Sequence, residues 1–246
     1  MDPRRGEDDM AEAPAPKAWR VVLEHVESQL RGGSLGPGDR LAGERELASR
    51  LGVGRSSVRE ALRVLEGMGV LRTATGSGPS SGAMIMTSAG SGVANVLGLQ
   101  AAAQAFRFDD IVDTRLILED AIVGALAADA ELGLAEAERI LDAMDAEGLP
   151  REEFLALDAR FHSALAEATG NRVIATIMTG LRAAIEAYVQ HGATDVADWA
   201  AERDLLQREH RGVLGAVRGG DAEAARDRIG QHITGYYERT KAPERA

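Results

Sequence analysis

The stretch of sequence that decides the N-terminal fold runs from residue 36 to residue 71 and reads GPGDRLAGERELASRLGVGRSSVREALRVLEGMGVL. It predicts a short helix over 44–51 and a second helix over 56–68, which the tight turn Gly52-Val53-Gly54 separates. Two helices joined by so short a turn indicate a helix-turn-helix unit.

The second of these helices has two chemically different sides. Four apolar residues recur with helical spacing and predict its buried side: Val58, Ala61, Leu62 and Leu65. Three arginines lie four residues apart on the other side, namely Arg55, Arg59 and Arg63, with Ser56 and Ser57 at the helix start. An arginine row is often no more than a solvated face. Behind a helix-turn-helix turn it suits docking into a DNA major groove, where arginine binds guanine or phosphate.

The flanking residues extend this unit to a winged helix-turn-helix domain over 17–87. A first helix is marked by apolar residues three or four apart: Trp19, Val22, Val26 and Leu30. After the helix-turn-helix, two short strands over 70–73 and 83–86 flank a tip rich in glycine and serine, and they predict the hairpin of a wing. Residues 1–16 are charged and contain proline, so we expect a disordered tail.

The rest of the chain is predicted to be helical. A linker over 88–92 leads into an all-helical domain over 93–241. Periodicity and breaks such as Gly170-Asn171 predict seven helices, near 92–105, 109–130, 134–147, 151–168, 171–191, 197–218 and 221–240. Short connections imply antiparallel neighbours, so we expect a mainly α fold in which an antiparallel helical bundle follows the winged domain.

Composition narrows the classes of protein to which the chain can belong. Its 246 residues contain no cysteine, which excludes disulfides, thiolate catalysis and cysteine-based zinc sites. The net charge is −11, yet residues 17–87 carry ten basic and seven acidic side chains, so a small basic segment is joined to a large acidic body. No apolar run of about 18 residues and no apolar leader occur, so we expect a cytoplasmic protein that does not bind membranes.

Four candidate metal ligands share the predicted interior of the bundle. Asp158 and His162 lie four residues apart on one helix, between residues of its apolar face, and His210 and His232 lie on the apolar faces of two later helices. A buried carboxylate without a partner costs several kcal/mol, and a divalent cation shared by all four side chains would remove that cost. Three histidines and one aspartate suit zinc above all, and also nickel, manganese or iron.

Other interpretations of the same residues remain open. A single histidine on an apolar helix face is usually a hydrogen-bonded core residue, so the metal centre depends on convergence of all four side chains. A metal with open positions could activate water in a metal-dependent hydrolase. However, no separate general base is evident, and a hydrolase would not need residues 36–71. The metal could also be purely structural.

Arg115 has two interpretations. It lies on the apolar face of the helix over 109–130, and Glu119 borders that face. The spacing is that of an i,i+4 ion pair, which in this orientation contributes only a few tenths of a kcal/mol. Alternatively, Arg115 binds the carboxylate of a ligand in a cavity of the bundle.

Residues 36–71 resemble the winged-helix signature of the GntR transcription regulators. The resemblance implies that four side chains contact DNA: Arg45, Arg55, Ser56 and Arg59. The sequence departs from the family pattern at Ala42-Gly43, where Pro-Ser is usual, and at Gly54, where serine or threonine is usual. Its wing tip, 75–82, is long and lacks a basic residue.

Three segments of the helical half resemble the FCD effector domain of the FadR-type branch of these regulators. They are RLILEDAIVGALAA (115–128), LDARFHSALAEATGN (157–171) and EHRGVLGAVRGGDAEAARDRIGQHI (209–233). The resemblance implies a metal held by Asp158, His162, His210 and His232 beside a small-acid pocket lined by Arg115. The chain is therefore expected to be a ligand-responsive transcription regulator and not an enzyme. We expect a homodimeric repressor that binds a palindromic double-stranded DNA operator and responds to a small carboxylate effector.

Overall fold

The computed structural model describes most of the chain, namely residues 17–74, 82–87, 92–129, 133–192 and 198–240, the side chains of 186–192 excepted. The expected disordered tail and most of the wing tip and linker lie outside the described residues. Over the described residues the fold is mainly α, with ten helices and one two-stranded sheet, as the sequence predicts. The chain divides into two compact units between Ser88 and Ala89.

The N-terminal unit consists of three helices and a hairpin. Its elements are α1 (Ala18–Arg31), α2 (Glu44–Leu51), α3 (Arg55–Gly67), β1 (Leu71–Ala74) and β2 (Gly82–Ile85). The strands are antiparallel, with Leu71 opposite Ile85 and Ala74 opposite Gly82. The predicted helix-turn-helix and hairpin are thereby confirmed, although α3 and both strands are displaced by one residue.

A small apolar core holds these elements in place. Its members come from every element of the unit and include Val22, Val26, Leu47, Val58, Leu65, Leu71 and Ile85. Gly52 ends α2 with a φ of +65°, a left-handed conformation that glycine adopts without strain. Glu66 fixes the hairpin to α3, because its carboxylate accepts hydrogen bonds from both the backbone N–H and the hydroxyl of Thr73. These bonds lower the pKa of Glu66.

The C-terminal unit is a bundle of seven helices. They are α4 (Gly92–Ala102), α5 (Phe108–Ala128), α6 (Ala135–Met144), α7 (Arg151–Ala168), α8 (Arg172–Gly192), α9 (Trp199–Arg218) and α10 (Ala222–Thr240). α4 packs on α8, α7 packs on α6 and α8, and α10 packs on α5 and α9. All seven predicted helices are present. α4 ends three residues before its predicted end because the chain turns at Gln104, whose φ is +56°.

Two sharp turns set the antiparallel course of the last helices. Gly170 ends α7 with a φ of +69°, and Asn171 then caps α8 by accepting hydrogen bonds from the N–H groups of residues 173 and 174. Gly220 and Asp221 repeat this arrangement between α9 and α10. The predicted glycine and cap pairs therefore form the turns, and they return each helix along the one before it.

The interior of this bundle is apolar except for one polar group of side chains. Its largest fully buried members include Ile122, Phe154, Phe161, Leu206 and Ile229. Among the described residues, the polar or charged side chains that are buried are Glu119, His162, Glu202, His210 and His232. No described helix combines the length and the apolar character that crossing a bilayer requires. We therefore expect a functional site at these buried polar residues.

Candidate functional site

Four side chains from three helices meet inside the C-terminal unit and form what we call the ligand cluster. α7 supplies Asp158 and His162, α9 supplies His210, and α10 supplies His232. Their ligand atoms, one from each residue, lie within 4.8 Å of one another. His210 Nε2 is 3.1 Å from Asp158 Oδ1 and 3.2 Å from His232 Nε2. His232 Nε2 is in turn 3.3 Å from His162 Nε2. The structure thus brings the four predicted ligands together.

Two carboxylates orient the histidine rings from outside the ligand cluster. Nδ1 of His162 is hydrogen-bonded to Glu119 of α5, and Nδ1 of His232 lies 2.8 Å from Oε2 of Glu209. Because a carboxylate accepts the hydrogen bond, both rings carry their proton on Nδ1 and direct the lone pair of Nε2 into the ligand cluster. Two such lone pairs 3.3 Å apart repel each other unless a cation lies between them.

The protonation states also suit metal binding. Burial lowers the pKa of His162, and burial together with the adjacent histidines lowers the pKa of His232 well below its ordinary value. Burial by itself would raise the pKa of Asp158, but the hydrogen bond to His210 and the adjacent imidazoles of His162 and His232 together outweigh burial and hold that pKa well below its usual range. Neutral imidazole and ionised carboxylate are the forms that bind a divalent cation.

The spacing of the donor atoms fits the size of such a cation. Neighbouring ligand atoms at about 2.0–2.1 Å from a zinc ion are about 2.9–3.4 Å apart, depending on whether the ion is octahedral or tetrahedral. The three short separations in the ligand cluster are 3.1, 3.2 and 3.3 Å. His210 is completely buried, and its Nδ1 has no hydrogen-bond partner among the described residues. Its ring packs instead on Phe161, with 4.9 Å between ring centroids. The residues present therefore fit a divalent metal.

Arg115 connects the ligand cluster to α10. Its Nε donates a hydrogen bond to Glu119 Oε1 at 2.5 Å, and its Nη1 donates to the hydroxyl of Tyr237 at 2.9 Å. Since Glu119 also binds His162, guanidinium, carboxylate and imidazole form one connected chain. Burial by itself would raise the pKa of Glu119, but the charge of Arg115 and the contacts with His162 together outweigh burial, so the pKa is about 2. The predicted ion pair with Glu119 is present.

A cavity of about 370 Å³ opens beside the ligand cluster. One end of it is polar and is lined by Arg115, Asp158, His162, Tyr236 and Tyr237. The remainder is mostly apolar and lies between α7 and α8, where its lining includes Leu155, Ala156, Ala159, Met178, Leu181 and Ile185. Arg115 therefore has both properties considered for it, because it pairs with Glu119 and also faces a cavity.

The second candidate site is the outer face of α3. Its inner face is buried in the core of the N-terminal unit through Val58, Ala61, Leu62 and Leu65. Exposed side chains cover the outer face, namely Arg55, Ser56, Arg59 and Arg63, and Arg45 is exposed on α2. Arg59 Nε lies 4.0 Å from Glu44, which is a weak contact for a side chain that is 60% exposed. Gly54 precedes α3 and offers no side-chain cap.

Comparison with known protein families gives one match in each unit. Residues 20–79 match the bacterial regulatory proteins of the gntR family, and residues 110–235 match the FCD domain. The chain belongs to the GntR family and carries an FCD domain. Its matches are transcriptional regulators, so this GntR protein is a regulator and not an enzyme, as predicted. The FCD domains of some family members bind metal ions.

Relatives of this GntR protein span most of its length. A protein of Escherichia coli (strain K12) named for regulation of the L-lactate dehydrogenase operon is 29% identical over 215 residues, which are 87% of this chain and 82% of the relative. The transcriptional repressor NanR of Cronobacter sakazakii is 28% identical over 232 residues, which are 90% and 84% of the two chains. A solved GntR structure from Streptococcus agalactiae, 23% identical, has a TM-score of 0.60 over 90% of this chain and 99% of its own, which supports the fold.

Sequence reasoning identifies the four ligand candidates of the FCD domain. It names Glu119 only as a partner of Arg115 and misses the contacts that Glu119 and Glu209 make with the histidines. Glu209 is not singled out by the pattern, although it lies three residues after Leu206 and four before Val213, which are both buried residues of α9. Tyr237 is the buried partner of Arg115, yet it resembles an ordinary core aromatic in the sequence. The signal that could have found Glu209 is an acidic residue within an apolar helix stripe.

Proposed function

We propose that this GntR protein is a cytoplasmic, homodimeric repressor that binds a palindromic DNA operator through residues 17–87. In this proposal residues 88–92 are a linker, and residues 93–241 bind the effector and form the dimer. Four side chains contact the DNA: Arg45, Arg55, Ser56 and Arg59. The single observation that carries the proposal is the row of exposed arginines on α3 opposite a fully buried apolar face.

Several features support docking of α3 into the major groove. Arginine side chains on this face can reach guanine edges and phosphates in bidentate fashion. The first-turn N–H groups of α3 have no side-chain cap from Gly54, and uncapped N–H groups at a helix start bind phosphate. Two-fold symmetry of a dimer is mirrored in the half-sites of its operator. A relative that is named as a repressor supports the proposal that this protein represses transcription.

We further propose that Asp158, His162, His210 and His232 hold one divalent ion. The ligand set of three imidazoles and one carboxylate favours zinc over nickel, manganese and iron, and the two short histidine separations, 3.2 and 3.3 Å, agree with zinc–nitrogen distances. When bound, the ion supplies positive charge to an oxygen of a carboxylate effector at the polar end of the cavity. Arg115 binds the same carboxylate through Nη2, because its Nε and Nη1 are engaged with Glu119 and Tyr237.

The effector can control DNA binding only if it binds two arrangements of the dimer with different affinities. The coupling free energy that results is typically about 1–3 kcal/mol. A relative named for regulation of the L-lactate dehydrogenase operon supports a carboxylate as the effector class. The cavity supports it directly, because an arginine and a candidate metal site share its polar end.

The DNA proposal is tested with a duplex that the wild-type full chain selects from a random-sequence pool. We expect the selected site to be a near-palindrome and light scattering to show a dimer on it. Arg55→Ala and Arg59→Ala should each weaken binding to this duplex by about 1–3 kcal/mol. Arg50→Ala is a matched control, because Arg50 is exposed on α2 and pairs with Glu46. Wild-type affinity in both α3 variants would show that α3 is not the recognition helix.

The metal proposal is tested by metal analysis of the purified chain and of two variants. Asp158→Asn preserves side-chain volume and removes a charged ligand, and His210→Ala removes the completely buried ring. Both should lower metal content and melting temperature and weaken the response of DNA binding to effector. Full metal content and a normal response in both variants would contradict the site. Loss of metal with an unchanged effector response would instead identify a purely structural ion.

A further inference from the structure

We propose that the effector is a carboxylate with an extended apolar body of about eight to ten carbons, which the long apolar part of the cavity accommodates. The inference rests on the proposed function, since it places the carboxylate at Arg115 and the ligand cluster. It deepens that function by assigning a chemical class to the rest of the molecule. The shape, the lining and the volume of the cavity each support it.

The cavity follows α7 for about three turns. Its lining on this helix extends from Glu152 to Ser163, which corresponds to about 16 Å at a rise of 1.5 Å per residue. On α8 the lining extends from Met178 to Ile185, which is about 10 Å. Because these helices run antiparallel across a short turn, Met178 lies toward the His162 end and Ile185 toward the opposite end. A ligand that fills the cavity is therefore elongated along α7.

The chemistry of the lining changes along this length. Arg115 and the two tyrosines lie beside the ligand cluster at one end of the cavity. The part of the cavity between α7 and α8 is lined mainly by aliphatic side chains. The polar side chains that remain have other contacts or are exposed. The Ser163 hydroxyl donates to the carbonyl oxygen of Ala159 at 3.0 Å, Arg182 is engaged within the protein, and Glu152 is exposed. An apolar ligand body is what the aliphatic part can contact favourably.

The volume agrees with a ligand of this size. An apolar cavity of about 150 Å³ binds one benzene molecule, which has six non-hydrogen atoms, so a cavity of about 370 Å³ has room for about fifteen such atoms. An acid of about eight to ten carbons fills most of this space, whereas a three-carbon hydroxy acid fills less than half of it and leaves water against apolar side chains. Contact between water and those side chains is unfavourable, so the longer acid binds more tightly.

The experiment is calorimetric titration of the full-length, zinc-loaded protein with butanoate, hexanoate, octanoate, decanoate and L-lactate. Each methylene that becomes buried strengthens binding about fourfold, so octanoate should bind on the order of 200-fold more tightly than butanoate. The heat-capacity change of binding should also become more negative with chain length. Affinity should level off once the cavity is filled.

A matched pair of variants locates the binding. Ile185→Gln places an amide in the aliphatic part of the cavity, whereas Ile117→Gln makes the same change on a side chain of α5 that is 71% exposed. The first should weaken octanoate binding about tenfold or more and leave butanoate nearly unchanged, and the second should change neither. Ala159→Phe, which narrows the cavity on α7, repeats the test if the Ile185 variant does not fold.

The outcomes separate this inference from the function on which it rests. Equal affinity for butanoate and octanoate, or tighter binding of L-lactate, overturns the apolar body. If binding is then also lost in Arg115→Lys, which keeps the positive charge beside Glu119, the carboxylate effector remains intact. Equal octanoate affinity in the Ile185 and Ile117 variants shows binding elsewhere and also overturns the inference. No binding of any of the five acids overturns the carboxylate effector itself, and the inference with it.

Discussion

Replacement of Glu209 by glutamine tests whether the carboxylates outside the ligand cluster set its affinity for metal. In the wild type, Glu209 Oε2 lies 2.8 Å from His232 Nδ1 and 3.8 Å from Arg239 Nη2. Glutamine keeps the size of the side chain and an oxygen that accepts a hydrogen bond, but it removes the negative charge that makes the imidazole a stronger ligand. Loss of such a partner typically weakens metal binding by about 10–100-fold.

The structure places the expected effect near the lower limit of this range. The Glu209 side chain is 23% exposed, so water screens part of its charge. We therefore expect metal binding to weaken about tenfold, which is about 1.4 kcal/mol. Glu119 is almost completely buried, but its replacement would also remove the ion-pair partner of buried Arg115 and would destabilise the fold itself. Glu209 is therefore the better position for the test.

Zinc affinity is measured by competition with a chromogenic chelator at constant pH. Glu238→Gln is the matched control, because Glu238 is exposed on α10. Circular dichroism melts of the zinc-free proteins check that the variants fold equally well. A zinc dissociation constant equal to that of the wild type in both Glu209→Gln and Glu209→Ala would refute the argument that this carboxylate orients and charges His232.

Three further predictions concern stability. Phe161→Ala should lower the free energy of unfolding by about 3–5 kcal/mol in urea titrations, because the ring is completely buried, whereas Ile117→Ala at an exposed position should change it by less than about 0.5 kcal/mol. Asn171→Ala removes the cap of α8 and should lower the free energy of unfolding by about 1 kcal/mol, which a lower melting temperature would show. An unchanged melting temperature would show that the cap does not contribute to stability. At a free metal concentration of 100 times the dissociation constant, the bound metal should contribute about 2.7 kcal/mol to the free energy of unfolding, and addition of a chelator should remove this contribution. The loss of stability on chelation should be smaller in Asp158→Asn than in the wild type.

The course of the helices and the four ligands could be predicted because they depend on local rules. Helical periodicity places Asp158 and His162 on one face, and a glycine before a capping residue ends one helix and starts the next at Gly170-Asn171. His210 and His232 lie on apolar faces, so packing of those faces directs them to the same interior. These inferences need no knowledge of how far each helix is rotated against its neighbour.

The partners of the ligands could not be predicted because they depend on that rotation. Glu209 adjoins His210 in the sequence, yet it binds the ring of His232 on the next helix. Arg115 could not be assigned by spacing alone, because it contacts Glu119 one turn away and also Tyr237, 122 residues further along the chain. The length of the cavity likewise depends on side chains of two facing helices and is not encoded in either helix separately.

The chain of contacts from Arg115 through Glu119 to His162 has a thermodynamic consequence. Coupling between two binding equilibria is reciprocal, so the factor by which zinc strengthens binding of the acid equals the factor by which the acid strengthens binding of zinc. In the proposed regulator, a single dissociation constant for the effector therefore does not exist apart from the free zinc concentration. A cell that depletes zinc would shift the dose of acid at which transcription changes, even though the operator and the DNA-contacting arginines remain the same.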